Sequence, residues 1–88
     1  MEENDQAIRC AVEQIRRDMP SVEVIEASLY KKVEPFGDWL GLSVQAVRWY
    51  VEVKVRNLND ETHTMAFYRV WHSFDTGELK VMRVPLVI

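Results

Sequence analysis

Two histidines, one cysteine and a few loop carboxylates are the side chains of this 88-residue chain whose types could do chemistry. His72 stands three residues before Asp75, close enough in sequence for a carboxylate to orient an imidazole as general base, and Asp38 offers a further acid. The competing reading of His72 is a hydrogen-bonded histidine at a strand end. It is preferred, so His72, Asp38 and Asp75 stand as candidates only and no catalytic residue is assigned. His63 and His72 lie nine apart on one extended segment, which puts them on opposite faces and roughly 30 Å apart, too far to share a metal. Cys10 has no CxxC partner and no base near it in sequence, and reads as a half-buried structural thiol. Neither a metal nor a cofactor is expected.

A second constellation is apolar. The stretch Glu34 to Ser43 carries Phe36, Trp39, Leu40 and Leu42 between one proline and two glycines, and Glu34 and Asp38 flank the aromatics. If this loop closes one end of the space beside a sheet, Phe36, Asp38, Trp39 and Trp49 would line a small apolar pocket with carboxylates at its mouth. Such a pocket suits an apolar or cationic ligand, the tryptophans offering a π face. Alternatively Phe36, Trp39 and Leu40 plug the open end as core.

Both readings depend on the elements that place these residues. Asn4 to Met19 spaces Ile8, Ala11, Val12, Ile15 and Met19 at a helical period, with Ala7 at the edge of the stripe. Asn4 is the expected N-cap and Pro20 blocks continuation. Asp5/Arg9 and Glu13/Arg17 are i,i+4 pairs on the solvated side. Four strands follow, over about 22–33, 44–56, 62–74 and 78–88. The first changes phase near Val24–Ile25, the mark of a bulge. Asn57 to Asp60 supplies one turn, and Asp75-Thr76-Gly77 another in which the glycine takes a positive φ. Pro85 demotes the end of the last strand to an edge or a bulge.

Composition sets outer bounds. With 48% hydrophobic residues and three each of Trp, Tyr and Phe, the chain can build a core, and its length allows one, so residues 1–88 read as a single domain. A net charge of −3, with eleven Lys and Arg scattered among fourteen acids, argues against nucleic acid. The acidic start MEENDQ is unlike a secretory signal, and no apolar run approaches the ~18 residues of a membrane span. A cytoplasmic place is expected, with no membrane partner.

One helix followed by four strands joined mostly by hairpins implies an α+β fold, the helix packed on a curved four-stranded antiparallel sheet. In element order the chain resembles the cystatin-like architecture, shared by cystatins and, enlarged, by nuclear-transport-factor-2-like pocket proteins. Cystatins insert a Gln-x-Val-x-Gly hairpin into cysteine proteases. The nearest match is Gln45-Ala46-Val47-Arg48-Trp49, with Trp49 in place of the glycine, and the family's second, Pro-Trp hairpin is absent from 75–77. The resemblance therefore implies a fold, and protease inhibition is set aside.

The sheet has more apolar surface than one helix of about sixteen residues can shelter. In VRWYVEVKV, Val47 to Val55, the odd positions are Val or Trp, and Arg48, Tyr50, Glu52 and Lys54 lie opposite. In the third strand Met65, Phe67 and Trp71 lie on one side, with Ala66, Tyr68 and Val70 on the other. Met82 and Val84 continue one face of the fourth. Either the 34–43 loop folds back over the outer face, or that face is an interface with Met65, Phe67, Trp71, Met82 and Val84 at its centre and Arg48, Tyr50 and Arg69 in or around it. The expected function is thus a non-enzymatic binding module, most simply a twofold homodimer, whose apolar loop meets a partner protein or small ligand. A pocket enzyme or small-molecule binder of the nuclear-transport-factor-2-like kind, and an acidic inhibitor or immunity-type protein, are the alternatives.

Overall fold

A computed structural model gives the fold and describes residues 3–33, 47–73 and 76–85. Helix α1 (Glu3–Asp18) is followed by strands β1 (Val22–Val33), β2 (Arg48–Asn57), β3 (His63–His72) and β4 (Leu79–Val84). The strands form one antiparallel sheet in the order β1-β2-β3-β4, and α1 packs across one of its faces. The chain folds as an α+β unit of two layers, as its patterning predicts.

Helix α1 forms where acidic residues, Glu3 and Asp5, occupy its first turn and basic ones, Arg16 and Arg17, its last, each complementing the helix dipole. It ends before Pro20, and the Met19 amide closes a last turn on the Ile15 carbonyl at 2.8 Å. The stripe is rotated slightly from the expected one. Ala7, Ala11 and Ile15, spaced by four, are fully buried, while Ile8 and Val12 flank them half-buried. Two alanines at the centre let the helix backbone approach the sheet closely. Asn4 is not the N-cap: it lies within the first turn and faces the sheet. Among the described residues the Asp5/Arg9 and Glu13/Arg17 pairs do not close into salt bridges, and the helix surface instead carries a 2.9 Å bond from Gln14 Nε2 to Asp18 Oδ1.

Alternation decides which side of each strand meets the helix. Trp49, Val51, Val53 and Val55 of β2 and Ala66, Tyr68 and Val70 of β3 are buried against α1, with Val81 of β4 and Val24, Ala27 and Leu29 of β1 beside them. Cross-strand register matches like with like: Trp49 lies opposite Val70, Val51 opposite Tyr68 and Val53 opposite Ala66. Strand β1 keeps this alignment only by means of two register shifts, at Val24/Glu26 and Leu29/Lys31. Each extra residue reverses the side-chain phase, so Val22 and Val24, then Ala27 and Leu29, all face inward. The first shift is the expected bulge, although its Ile25 points outward and is 47% exposed; the second was not expected.

The turns carry the remaining backbone hydrogen bonds. Between β2 and β3 the Asn57 side chain donates to the Thr62 carbonyl and to the Thr62 and Thr64 hydroxyls, and Asp60 Oδ1 accepts from the Thr62 amide and hydroxyl. Those two bonds hold the Asp60 carboxyl below the usual carboxylate range. Gly77 has φ +75°, the left-handed conformation the second turn demands, and its amide donates to the Ser73 carbonyl at 2.9 Å.

Candidate functional site

On the helix-facing side the large aromatic residues are tied into the core, and a recess of about 490 Å³ opens between α1 and β4, lined by Gln6, Arg9, Cys10, Glu13 and Leu79. Trp49 is 1% exposed, its indole Nε1 donates to Asn4 Oδ1 at 2.9 Å, and its ring is part of the core rather than a free π face for a ligand. At the other end of the helix the buried Tyr68 hydroxyl donates to Asp18 Oδ2 at 3.1 Å. Burial, then the bond to Asp18 and that carboxylate's charge, push the Tyr68 phenol up to about 12. These two aromatic tips reach opposite ends of α1 and fix its position on the sheet.

His72 faces the same side, half-buried, its ring edge-on to Trp49 with centroids 5.6 Å apart. Its Nδ1 is 2.8 Å from the Gly77 carbonyl oxygen. A carbonyl can only accept, so Nδ1 carries the proton and the imidazole is tied to the β3–β4 turn. Among the described residues no carboxylate orients His72. His63 lies opposite Arg56 on the other face, so the two histidines are apart as their spacing requires. Cys10 is half-buried beside Gln6, Arg9, Glu13 and Leu79, and burial, reinforced by Glu13 and opposed by Arg17, pushes its thiol up. That keeps it protonated and unreactive. Among the described residues no group of three His, Cys, Asp or Glu is placed to hold a metal ion, and no helix is long and apolar enough to cross a membrane. Phe36, Asp38, Trp39 and Asp75 lie outside the described residues.

The outer face of the sheet is different. Tyr30, Met65 and Met82 are 57%, 38% and 45% exposed, an unusual state for large apolar side chains on a sheet. Register lays them out in cross-strand rows. Arg48, Trp71 and Lys80 form one row, followed by Lys31, Tyr50, Arg69 and Met82, and then by Ser28, Glu52, Phe67 and Val84. Tyr30, the extra residue of the second bulge, swings over the middle of this surface and meets Tyr50 and Phe67 edge-on, at centroid separations of 6.5 and 5.5 Å. Arg69 lies over the Trp71 ring at 5.0 Å and Lys31 over Tyr50 at 5.8 Å. Arg69 Nε is shielded from water and has no hydrogen-bond partner among the described residues. A recess of about 350 Å³ is lined by Met65, Ala66, Phe67, Arg83, Val84 and Pro85.

All eight residues expected at an interface, Arg48, Tyr50, Met65, Phe67, Arg69, Trp71, Met82 and Val84, therefore lie on the face away from the helix. Sequence reasoning missed Tyr30 and Lys31 as members of it. The chain carries no sequence signal for them: the register shift at Leu29/Lys31 that brings them there falls where no apolar alternation marks a change of phase. Comparison of the chain with family models, with characterised proteins and with solved structures gives no match.

Proposed function

We propose that the chain is a non-enzymatic binding module that pairs with a second copy of itself through the outer face of the sheet. The observation carrying this reading is the aromatic and methionine surface around Tyr30, Phe67 and Met82, which α1 does not cover. Aromatic residues, Met and Arg are the types enriched in interface cores, and a twofold pair needs only one self-complementary patch. The sheet's edges are poorer places to join. Strand β1 carries two bulges with Lys31, Lys32, Glu23 and Glu26, and β4 is short, charged and followed by Pro85.

The order of one helix and four antiparallel strands resembles cystatin-like domains, an analogy that brings no activity with it. A cytoplasmic setting agrees with the single half-buried cysteine. Sedimentation of the wild-type chain at about 100 µM, a concentration at which micromolar pairing is complete, is expected to give a dimer. Trp71→Glu is expected to give a monomer with an unchanged far-ultraviolet spectrum. A wild-type chain that stays at the 10.4 kDa monomer mass would overturn the reading.

A further inference from the structure

Away from the outer face, we infer that the free edge of β4 and the flank of α1 beside it form a groove that takes an extended peptide segment as a fifth strand. The backbone carries the argument. Ser73 donates its amide to the Glu78 carbonyl at 2.7 Å, and the register continues with Lys80 opposite Trp71, Met82 opposite Arg69 and Val84 opposite Phe67. Along an antiparallel strand, residues bonded to one neighbour alternate with residues whose backbone groups turn to the other side. Lys80, Met82 and Val84 are therefore bonded to β3, while Leu79, Val81 and Arg83 turn their N–H and C=O groups away from the sheet. Strand β4 is last in the order β1-β2-β3-β4, so among the described residues no strand answers those groups. Another extended backbone is what matches such a row, the mode in which a peptide adds to a sheet edge.

The groove has a wall as well as an edge. Leu79 and Val81 point to the helix-facing side and stay half-buried, since they stand on the sheet's last strand. The α1 flank of Gln6, Arg9, Cys10 and Glu13 faces Leu79 across the recess of about 490 Å³. A strand laid along β4 presents alternate side chains to that recess, and apolar ones there would cover Leu79 and Val81. Charge then selects among such segments. Strand β4 holds two cations, Lys80 and Arg83, and no acid; Lys80 has Glu78 at 3.9 Å, and Arg83 makes no salt bridge among the described residues. Arg9 and Glu13 leave the flank neutral, and Asp18 already accepts from Gln14 and Tyr68. An acidic side chain opposite Arg83 gains a cross-strand partner. The occupant is thus a short, acidic, extended segment with apolar side chains toward α1. The six-residue length of β4 and the Pro85 that follows, which make it a poor seam for a second copy, suit a segment of that length.

The probe is an acetylated, amidated hexapeptide, Val-Glu-Leu-Val-Glu-Val, written to lie antiparallel to β4 with its glutamates opposite Arg83 and Lys80. Fluorescence anisotropy of a labelled copy is expected to give a Kd below about 1 mM. Methylating the second, fourth and sixth peptide nitrogens, which face β4, is expected to weaken binding at least about tenfold. Methylating the third and fifth, which face solvent, is expected to leave it within a few-fold. Hydrogen exchange followed by NMR is expected to slow at least about tenfold at the Leu79, Val81 and Arg83 amides when the peptide is added, and to stay unchanged along β1. Val81→Pro removes one outward amide at a position where an edge strand tolerates proline, and is expected to weaken binding with an unchanged far-ultraviolet spectrum. Should that variant not fold, the pair of methylated peptides still decides. Equal binding of the two methylated peptides, protection at β1 in place of β4, or no binding at about 1 mM peptide would each overturn the inference. So would protection of the three amides that grows with protein concentration alone, since a second copy would then hold the edge. Trp71→Glu is expected to bind the peptide as the wild type does, so the outer-face reading and this one fail separately.

Discussion

Tyr68 combines full burial with a hydroxyl bonded to Asp18, so it must stay neutral for the helix to remain seated. The sign of the pH dependence follows. An unfolded tyrosine ionises near 10, the folded one near 12. The contribution is therefore complete below pH 10 and is lost as pH rises from there to 12. Thermal melts are expected to fall over that window, and Tyr68→Phe is expected to remove most of the fall while costing about 1 kcal/mol at neutral pH for the lost hydrogen bond. An identical alkaline decline in Tyr68→Phe would refute this. Parity alone sets Tyr68 beside Ala66 and Val70 on one side of β3, and Trp49 beside Val51 and Val53 on one side of β2. Their polar tips, which reach Asp18 and Asn4 at sequence separations of 50 and 45, could not be paired without the fold.

At the scale of elements, β1 is the part whose shape matters most for the outer face. Its twelve residues keep one side dry through two bulges, and the second sends Tyr30 across β2 to Phe67. One bulge was legible because Val22 and Val24 fall out of phase with Ala27 and Leu29. The other was not, because Lys31-Lys32 has no apolar partner to reveal a phase. The β2–β3 turn holds a different kind of tension: Glu61 has φ +59°, a left-handed conformation that costs a non-glycine residue of the order of 1 kcal/mol. Glu61→Gly is expected to stabilise the chain by about 0.5 kcal/mol once the added freedom of the unfolded state is subtracted. A urea titration checks it: the midpoint should rise with the slope unchanged.

The whole molecule is a slab, 53 × 28 × 20 Å, with a radius of gyration of 14.8 Å against the roughly 12 Å typical of a compact domain of this length. Long strands and a single covering helix produce that shape, and they leave a thin core: ten residues, three of them from α1, are the fully buried apolar set among the described residues. A small core gives a small stability margin, so association should be visible in the melting temperature. The transition is expected to rise with protein concentration, by a few degrees per hundredfold, in the wild type but not in Trp71→Glu. A concentration-independent wild-type transition would count against pairing through this face.

By itself the amino-acid sequence determined the local features: the helix, the four strands, the left-handed Gly77, and which alternate residues of β2 and β3 share a side. These follow from periodicity, steric limits at proline and glycine, and short-range hydrogen bonding, all of which act within a few residues. Only the tertiary structure decided which of the two apolar sides of β3 the helix covers, that Trp49 is core, and that Tyr30 and Lys31 join the cationic, aromatic outer face. Those outcomes depend on cross-strand register and on the competition of two faces for one helix, and neither is a property of any single segment.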